Sequence, residues 1–283
     1  MPGPERLLAL VALDFEGDVR ARGLALLRFL LLHLAVRDAI RLVDGQGDVR
    51  AVWALVFAGC LLASLRAGWQ RPAACVALVV ATWKGAVLFP DSSNHFFLEY
   101  VCLSFASLTR FDREPEVGVF VRGVRWLPVL VFFWSGVNKA VYGTYFDGAY
   151  LGSILAHGGF AGVFGWLMSG EELSALLATP PPGPYALTSP LALAAANGVW
   201  LGEIAAAVLM LVPRWRSLGV AAGVLLLAGI QLGARELLFG TLMLNLLACF
   251  APVAWSRRLL PASAGFYAVL LAVRIAGVPW SFN

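Results

Sequence analysis

The stretch VFVRGVRWLPVLVFFWSGVNKAVY, residues 119–142, decides the fold of this chain. It is longer than the roughly 20 residues that an α-helix needs to cross about 30 Å of hydrocarbon. Its charged residues lie towards its ends, with Arg122 and Arg125 on one side and Lys139 on the other. This pattern is typical of a transmembrane helix whose two ends reach different sides of a membrane.

Composition extends this interpretation to the whole chain of 283 residues, which is 60% hydrophobic and only 13% charged, with a mean hydropathy of +0.80. Soluble domains have roughly 45–50% hydrophobic and about 25% charged residues, so too few polar side chains remain here to cover a soluble protein. The apolar runs are continuous rather than alternating, which excludes a transmembrane β-barrel. We therefore predict an all-α, polytopic membrane bundle that forms a single domain over residues 1–283.

Nine apolar runs, each bounded by charges, Pro or Gly, predict nine transmembrane helices. They cover residues 21–43, 51–69, 72–89, 94–110, 119–142, 190–213, 216–234, 236–255 and 262–280.

Arginines in the loops fall almost entirely on one side of this predicted arrangement, and the other side has Arg50 and Arg235. The thirteen on the first side are Arg6, Arg20, Arg22, Arg66, Arg71, Arg110, Arg113, Arg122, Arg125, Arg214, Arg216, Arg257 and Arg258. Because cytoplasmic loops carry the excess of Lys and Arg, we predict a cytoplasmic amino terminus and an external carboxyl terminus, in a bacterial inner membrane. The net charge of +4 is then a topology signal, and no nucleic-acid partner is expected.

The connection, residues 143–189, is predicted to lie outside and contains no Lys or Arg. Residues 150–168 are apolar and Gly-rich, and TPPPGP at 179–184 predicts a rigid extended break. We expect an interfacial helix or a lid here. The alternative is a pair of extra crossings, which the Gly content and the short length disfavour.

Ionisable side chains near the outer ends of the predicted spans are the candidates for chemistry, because such groups are costly in a membrane unless they are paired or hydrated. His95 and Glu99 are four residues apart, so a helix places them on one face, where the carboxylate can orient the imidazole. Lys139 follows Asn138 at the end of the fifth span. A dehydrated pocket lined by the adjacent aromatic residues Phe132, Phe133 and Trp134 would favour the neutral amine that a general base needs.

Structural interpretations remain open for these residues. Lys139 can extend its ammonium to the interface, and Asn94 can cap the helix that begins there. We expect Lys84 to be an interfacial anchor of the same kind. The other polar residues in the apolar runs are as suited to hydrogen bonds between helices as to a site: Glu203, Gln231, Glu236 and Asn245. The cysteines at 60, 75, 102 and 249 lack metal-ligand spacing and are expected to be buried free thiols.

Four segments resemble the vitamin K-dependent gamma-carboxylases and their shorter bacterial relatives, the horizontally transferred transmembrane domain (HTTM) proteins. They are SSNHFFLEY at 92–100, SGVNKAVYGTYFDG at 135–148, ARGLALLRFLLLHLAVRDAIRL at 21–42 and GEIAAAVLMLVPRWRSLG at 202–219. The residues that match the family pattern are Arg28, Asp38, Asn94, His95, Gly136, Lys139, Phe146, Asp147, Glu203, Arg214 and Arg216. The likeness covers roughly residues 20–255, and the order and spacing of the four segments carry it.

The resemblance implies a quinol-dependent carboxylase-like enzyme, in which Lys139 is the base for a reduced, vitamin K-like quinone and His95 assists it. It implies a substrate- or cofactor-binding role for Asn94, Glu99, Trp134, Asn138 and Asp147, and no metal. The partners are then a membrane lipid, a lipid quinol and a peptide or protein substrate.

Departures from the family pattern keep a second hypothesis open. The sequence ends soon after the ninth predicted span, so we expect no large extracytoplasmic domain for gripping a protein substrate. Asn138 stands where the carboxylases have a second Lys, and Gln231 where many relatives have His. The alternative is a non-catalytic protein that binds a lipid or quinone, or a partner subunit of a membrane redox or peptide-modifying system.

Overall fold

The computed structural model describes residues 18–45, 49–89, 94–157, 164–234, 236–250 and 253–277. The side chains of 94–95, 232–234, 253–257 and 259 lie outside this description.

The described part of the chain is all-helical. Its α-helices are α1 (Val19–Val43), α2 (Val49–Ser64), α3 (Gln70–Leu88), α4 (Asn94–Leu108), α5 (Glu114–Tyr142), α6 (Ala149–Ala156), α7 (Gly170–Ala178), α8 (Pro190–Leu211), α9 (Arg216–Ala234), α10 (Leu237–Leu247) and α11 (Val253–Ile275). Single 3₁₀ turns occupy Gly165–Leu167, Pro213–Trp215 and Ala248–Phe250.

Three of the described helices, α3, α5 and α8, are long and apolar enough to cross a membrane. The most apolar window of α3 and that of α8 are each only 28% buried inside the protein, so most of their apolar surface faces outwards. Several other helices are apolar but shorter, among them α2 and α10. The all-α prediction is confirmed. The count of nine spans and the positions of the termini stay predictions.

The chain divides into two compact units. Unit 1 comprises Met1–Leu127 and Thr241–Asn283, and unit 2 comprises Pro128–Gly240. Pro128 lies inside α5, so this long helix begins in unit 1 and ends in unit 2.

In unit 1, α1 is the helix around which the others pack, with α2, α3, α4 and α11 all against it. Asp18 begins α1 by accepting a hydrogen bond from the backbone N–H of Ala21 at 2.9 Å, which satisfies one of the free donors of the first turn. The core side chains include Leu27, Trp53 and Phe57, all fully buried. Although α1 carries several charges, its polar side chains His33, Arg37 and Asp38 are buried among these neighbours.

In unit 2, α8 and α9 form a helical hairpin. Ser189 caps α8 by accepting from the N–H of Ala192, and Pro190 occupies the first turn, where its missing N–H costs nothing. A Cβ atom added at Gly219 would lie 2.5 Å from the backbone nitrogen of Met210. Gly219 therefore permits the close approach of α9 to the end of α8.

The connection forms a small layer of its own on the start of α8. Leu167, Leu176 and Leu187 pack with Ala192 in a hydrophobic cluster. The Oε1 atom of Glu172 accepts hydrogen bonds from the N–H groups of Thr188 at 2.7 Å and Ser189 at 3.1 Å, which hold α7 against the chain entering α8. Residues 158–163, part of the predicted lid or interfacial helix, lie outside the described residues.

The cysteine expectation is correct in one respect and wrong in another. All four cysteines are free, and Cys60, Cys102 and Cys249 are buried. Cys75 is exposed, because it lies on the outward face of α3, next to Val76 in the chain.

Candidate functional site

Lys139 lies in the last turn of α5, and its side chain is 19% exposed. Its Nζ donates to both carboxylate oxygens of Glu203 on α8, at 2.6 Å to Oε1 and 2.7 Å to Oε2. It also donates to the hydroxyl of Ser135 at 2.7 Å, and that hydroxyl donates to Glu203 Oε1 at 3.2 Å. An amine, a hydroxyl and a carboxylate thus form a closed hydrogen-bonded cluster in unit 2.

Helical spacing and one glycine bring this cluster together. Ser135 and Lys139 are four residues apart, so they lie on one face of α5. A Cβ atom added at Gly136 would lie 2.6 Å from Ile204 Cγ1 and 2.8 Å from the carbonyl oxygen of Trp200. Only glycine allows α5 to approach the α8 backbone this closely, and the approach places Lys139 within reach of Glu203.

One aromatic ring, that of Tyr145, lies over the amine of Lys139, and other ring pairs adjoin it in the chain. The Nζ of Lys139 lies 5.6 Å from the ring centroid of Tyr145, within the range of a cation–π contact. Tyr145 stacks on Tyr150 with the ring centroids 4.8 Å apart. Burial raises the pKa of the Tyr145 hydroxyl above its ordinary value, and Tyr150 and Glu203 raise it further, so this phenol stays protonated at neutral pH. Beside it, Phe146 meets Trp200 edge to face at 5.6 Å.

The turn that follows α5 holds these rings in place. Gly143 and Gly148 have φ angles of 72° and 71°, a conformation that side-chain-bearing residues rarely adopt. Asp147 Oδ1 accepts from the N–H of Ala149 at 3.0 Å, and the Asp147 carbonyl accepts from the N–H of Leu187 at 3.0 Å. Asp147, predicted as a binding residue, therefore shapes the turn, and its binding role stays a prediction.

Two other predicted binding residues on α5 are exposed. Trp134 is 56% exposed and packs edge to face on Phe133, with the ring centroids 5.6 Å apart, and Asn138 is exposed one turn further on. Each directly precedes a member of the cluster, Ser135 or Lys139, so the two share a neighbouring stripe of the helix. Of the aromatic pocket expected around Lys139, only Phe132 is buried, and the ring over the amine is that of Tyr145.

The other predicted cluster begins α4. The side chains of Asn94 and His95 lie outside the described residues, so the binding role of Asn94 and the assistance of His95 to Lys139 stay predictions. Glu99 is described, and its carboxylate is 1% exposed in unit 1. It accepts hydrogen bonds from Arg37 and from His33 Nε2, the latter at 3.0 Å.

Unit 1 has a second buried pair of a lysine and a carboxylate. Lys84 Nζ donates to both oxygens of Asp38, at 2.5 and 2.6 Å, and both side chains are 0% exposed. The same Nζ lies 5.5 Å from the centroid of the Trp53 ring. The expectation that Lys84 anchors at the interface is wrong, because its ammonium is held inside the bundle by a carboxylate on α1.

Three residues in or beside the Lys139 cluster were not predicted as site residues from the sequence: Glu203, Ser135 and Tyr145. Glu203 was one of several residues suited to bonds between helices, and it is the direct partner of Lys139. Its signal was present, since it is the one charged residue in the apolar run 190–211. Ser135 was signalled by its position four residues before Lys139. Tyr145 had no signal, because the turn that folds it back depends on Gly143 and Asp147.

Comparisons with protein-family models, with curated proteins and with solved structures found no match for this chain.

Proposed function

We propose that this chain is a multi-pass membrane protein in which Lys139 and Glu203 form a proton-transfer site, used as in the carboxylase-like HTTM family on a reduced quinone. The observation that carries the proposal is the direct contact of Lys139 Nζ with both Glu203 oxygens and with Ser135, on apolar helices α5 and α8. Ionisable groups on such helices are retained mainly where they pair or do chemistry.

Lys139 and Glu203 suit a pair in which the lysine acts as a base and the carboxylate then removes the proton from it. To act as a base, Lys139 must present a neutral amine. Glu203 is the group that can take the amine proton directly, over 2.6 Å, and Ser135 offers a second path between the same two groups. In a poorly hydrated site the amine–acid form competes with the ion pair, because two charges are costly to bury. Lys139 can then receive a proton from a substrate hydroxyl.

The surroundings fit an aromatic, weakly acidic ligand. Tyr145 offers a ring face to the amine, Phe146 and Trp200 form a further ring pair in the same unit, and aromatic head groups pack well on such surfaces. A reduced quinone bound there would supply an acidic ring hydroxyl. Lys139 would hold the proton from that hydroxyl at Nζ, and Tyr145, which stays protonated, would limit access of water from the connection.

The remaining predicted roles belong to the same proposal. His95 would assist Lys139, with Asn94, Glu99, Trp134, Asn138 and Asp147 in binding. A peptide or protein would be the carboxylated substrate, and the membrane would be the bacterial inner membrane. His33 and Arg37 occupy one oxygen of Glu99, so in this proposal Glu99 would bind through its other oxygen.

One observation favours the alternative of a non-catalytic protein that binds a lipid or a quinone. Lys139 satisfies both oxygens of Glu203, as in an ion pair whose only role is to join two helices. In that case the exposed rings of Phe133 and Trp134 would contact lipid, and no proton transfer would occur.

Mass spectrometry of small molecules that co-purify with the protein in mild detergent distinguishes the two functions. A quinone in stoichiometric amount, lost in a Lys139→Ala variant but retained in Arg214→Ala, supports the proposal. Arg214 is the control because it is an exposed cation of the same unit. A phospholipid alone, present equally in both variants, supports the non-catalytic alternative.

A further inference from the structure

His33, Glu99 and Tyr267 form a continuous hydrogen-bonded row inside unit 1. They come from α1, α4 and α11, and each residue is only 1% exposed. His33 Nδ1 lies 2.5 Å from the Tyr267 hydroxyl, and His33 Nε2 lies 3.0 Å from Glu99 Oε1. Only Glu99 of this buried row enters the site proposed around Lys139, as a predicted binding residue, and His33 and Tyr267 have no role there.

The chemistry of the two end groups fixes the direction of these hydrogen bonds. An ionised carboxylate can only accept, so His33 Nε2 carries a proton and donates it to Glu99. When the imidazole is neutral, its Nδ1 is then unprotonated and accepts from the Tyr267 O–H. Phenol, imidazole and carboxylate are thus connected donor to acceptor in one order, from Tyr267 through His33 to Glu99.

We propose that this row is a proton relay, a second proton-handling site of the protein that is independent of Lys139. In one transfer the O–H bond of Tyr267 breaks as a bond to His33 Nδ1 forms, and the Nε2–H bond breaks as a bond to Glu99 Oε1 forms. One proton moves from phenol to carboxylate and no electron is exchanged, so no other reactant is needed. The reverse transfer restores the original state.

The electrostatic surroundings favour the resting state, in which Glu99 is ionised and Tyr267 keeps its proton. Arg37 on α1 donates to the same Glu99 oxygen that faces His33, so a cation stays beside the carboxylate. Asp38 and Lys84 compensate each other, with Arg50 on α2 lying 3.7 Å from Asp38, and Arg41 follows one turn later on α1. Around the row, four cations (Arg37, Arg41, Arg50 and Lys84) accompany two carboxylates (Asp38 and Glu99), and this positive surplus favours the ionised Glu99 to which the reverse transfer returns.

The row ends at a carboxylate oxygen of Glu99 that could accept a further hydrogen bond. Glu99 Oε2 is buried and has no hydrogen-bond partner among the described residues. A buried carboxylate oxygen without a donor calls for a water molecule or another donor. Rotation of the protonated carboxyl group about its Cγ–Cδ bond would bring the delivered proton to this position, where a water molecule could take it up, which distinguishes a relay from a closed structural cluster.

The test exchanges His33 for a side chain that keeps the hydrogen bonds but cannot relay a proton. In His33→Gln the amide oxygen can accept from Tyr267 and the amide N–H can donate to Glu99, but an amide does not shuttle protons at neutral pH. Deuterium exchange of the Tyr267 hydroxyl is followed in detergent through the isotope shift of ¹³Cζ-labelled tyrosine. The chain has 6 Tyr, so Tyr267→Phe assigns the signal.

We expect hydroxyl exchange at Tyr267 to slow about 10²-fold or more in His33→Gln, the usual effect of removing a general base. In wild-type protein, ¹⁵N spectra should show His33 protonated at Nε2 and not at Nδ1. Unchanged exchange in a folded His33→Gln variant, or an Nδ1-protonated His33, would overturn the relay. If His33→Gln does not fold, Glu99→Gln provides the same readout, with slowed exchange expected and unchanged exchange contradicting the proposal.

Discussion

Lys139 and Glu203 are 64 residues apart in sequence, yet the Nζ of one lies 2.6 and 2.7 Å from the two carboxylate oxygens of the other. The pair joins α5 to α8, two of the three described helices that are long and apolar enough to span a membrane. A charge pair on such helices is costly to bury and is retained where it serves packing or chemistry. The function of unit 2 depends on which of these the pair serves.

Replacement of Gly136 by alanine, the smallest possible enlargement, should lower the stability of the protein. Gly136→Ala places a methyl group against Ile204 and the Trp200 carbonyl, so α5 and α8 must separate. We expect a loss of about 1–3 kcal/mol in unfolding free energy, the usual cost of overpacking. The control is Gly198→Ala on α8, where a Cβ meets nothing within 4 Å. Equal thermal unfolding midpoints for the two variants in detergent would contradict the close contact.

The buried Lys84–Asp38 pair should show strong coupling. Lys84→Met leaves Asp38 charged in the core and should cost about 3–5 kcal/mol of unfolding free energy. The double variant Lys84→Met with Asp38→Leu removes both charges and should recover most of that loss. Denaturant unfolding of both single variants and the double variant measures the coupling. Additive losses would show that the two side chains do not interact.

Glu172 should make the connection sensitive to acid. Burial alone raises the pKa of this carboxyl, but the N–H groups of Thr188 and Ser189 outweigh it and hold the pKa below its ordinary value of 4.5. A depressed folded-state pKa stabilises the fold above the unfolded value, and this stabilisation is lost as the pH falls through the folded-state pKa.

Hydrogen exchange at residues 187–189 tests this expectation. Protection of the Thr188 and Ser189 amides should be high at pH 7 and should fall below about pH 4.5. In Glu172→Gln, protection should be low and nearly independent of pH. Glu171→Gln is the control, because Glu171 is the exposed neighbour in the same helical turn. Identical pH profiles for wild type and Glu172→Gln would contradict the assigned role.

The predicted topology can be tested by labelling and reporter fusions. The alternation of loop arginines predicts that Arg113 is cytoplasmic and that the chain ends outside after Asn283. A Cys introduced in place of Arg113 should resist membrane-impermeant thiol reagents in intact cells. A reporter enzyme fused after Asn283 should be active only if it is of a kind that works outside the cytoplasm. External labelling at 113, or cytoplasmic reporter activity, would contradict the arrangement of nine spans.

Hydropathy predicts the helices well and their ends less well, for physical reasons visible in single elements. The run 190–213 corresponds closely to Pro190–Leu211, because Ser189 and Pro190 mark its start and Pro213 its end. The run 119–142 misses the first turn of α5, which begins at Glu114. Hydropathy detects the apolar part of a helix, whereas Glu114 and Glu116 suit a helix amino terminus through the helix dipole.

Side-chain partners were the part that sequence could not supply. Spacing within one helix predicts which residues share a face, and by that rule Ser135 could have been recognised as a neighbour of Lys139. The partners of Lys84, Lys139 and Glu99 come from other helices, 46 to 66 residues away along the chain. Such pairs depend on which faces of two helices meet. A close approach such as that at Gly136 decides this, and one sequence does not reveal it.

The most direct test of the central claim is deprotonation of a reduced quinone by Lys139. Under anaerobic conditions, a vitamin K-like hydroquinone is added to the purified protein, and the absorbance of its deprotonated form is followed at neutral pH. Wild type and the Arg214→Lys control should form this species. Lys139→Arg should reduce its rate of formation by about 10²–10⁴-fold, because a guanidinium keeps the charge but cannot act as a base. Wild-type rates in Lys139→Arg would contradict the claim and leave the Lys139–Glu203 pair a structural link between α5 and α8.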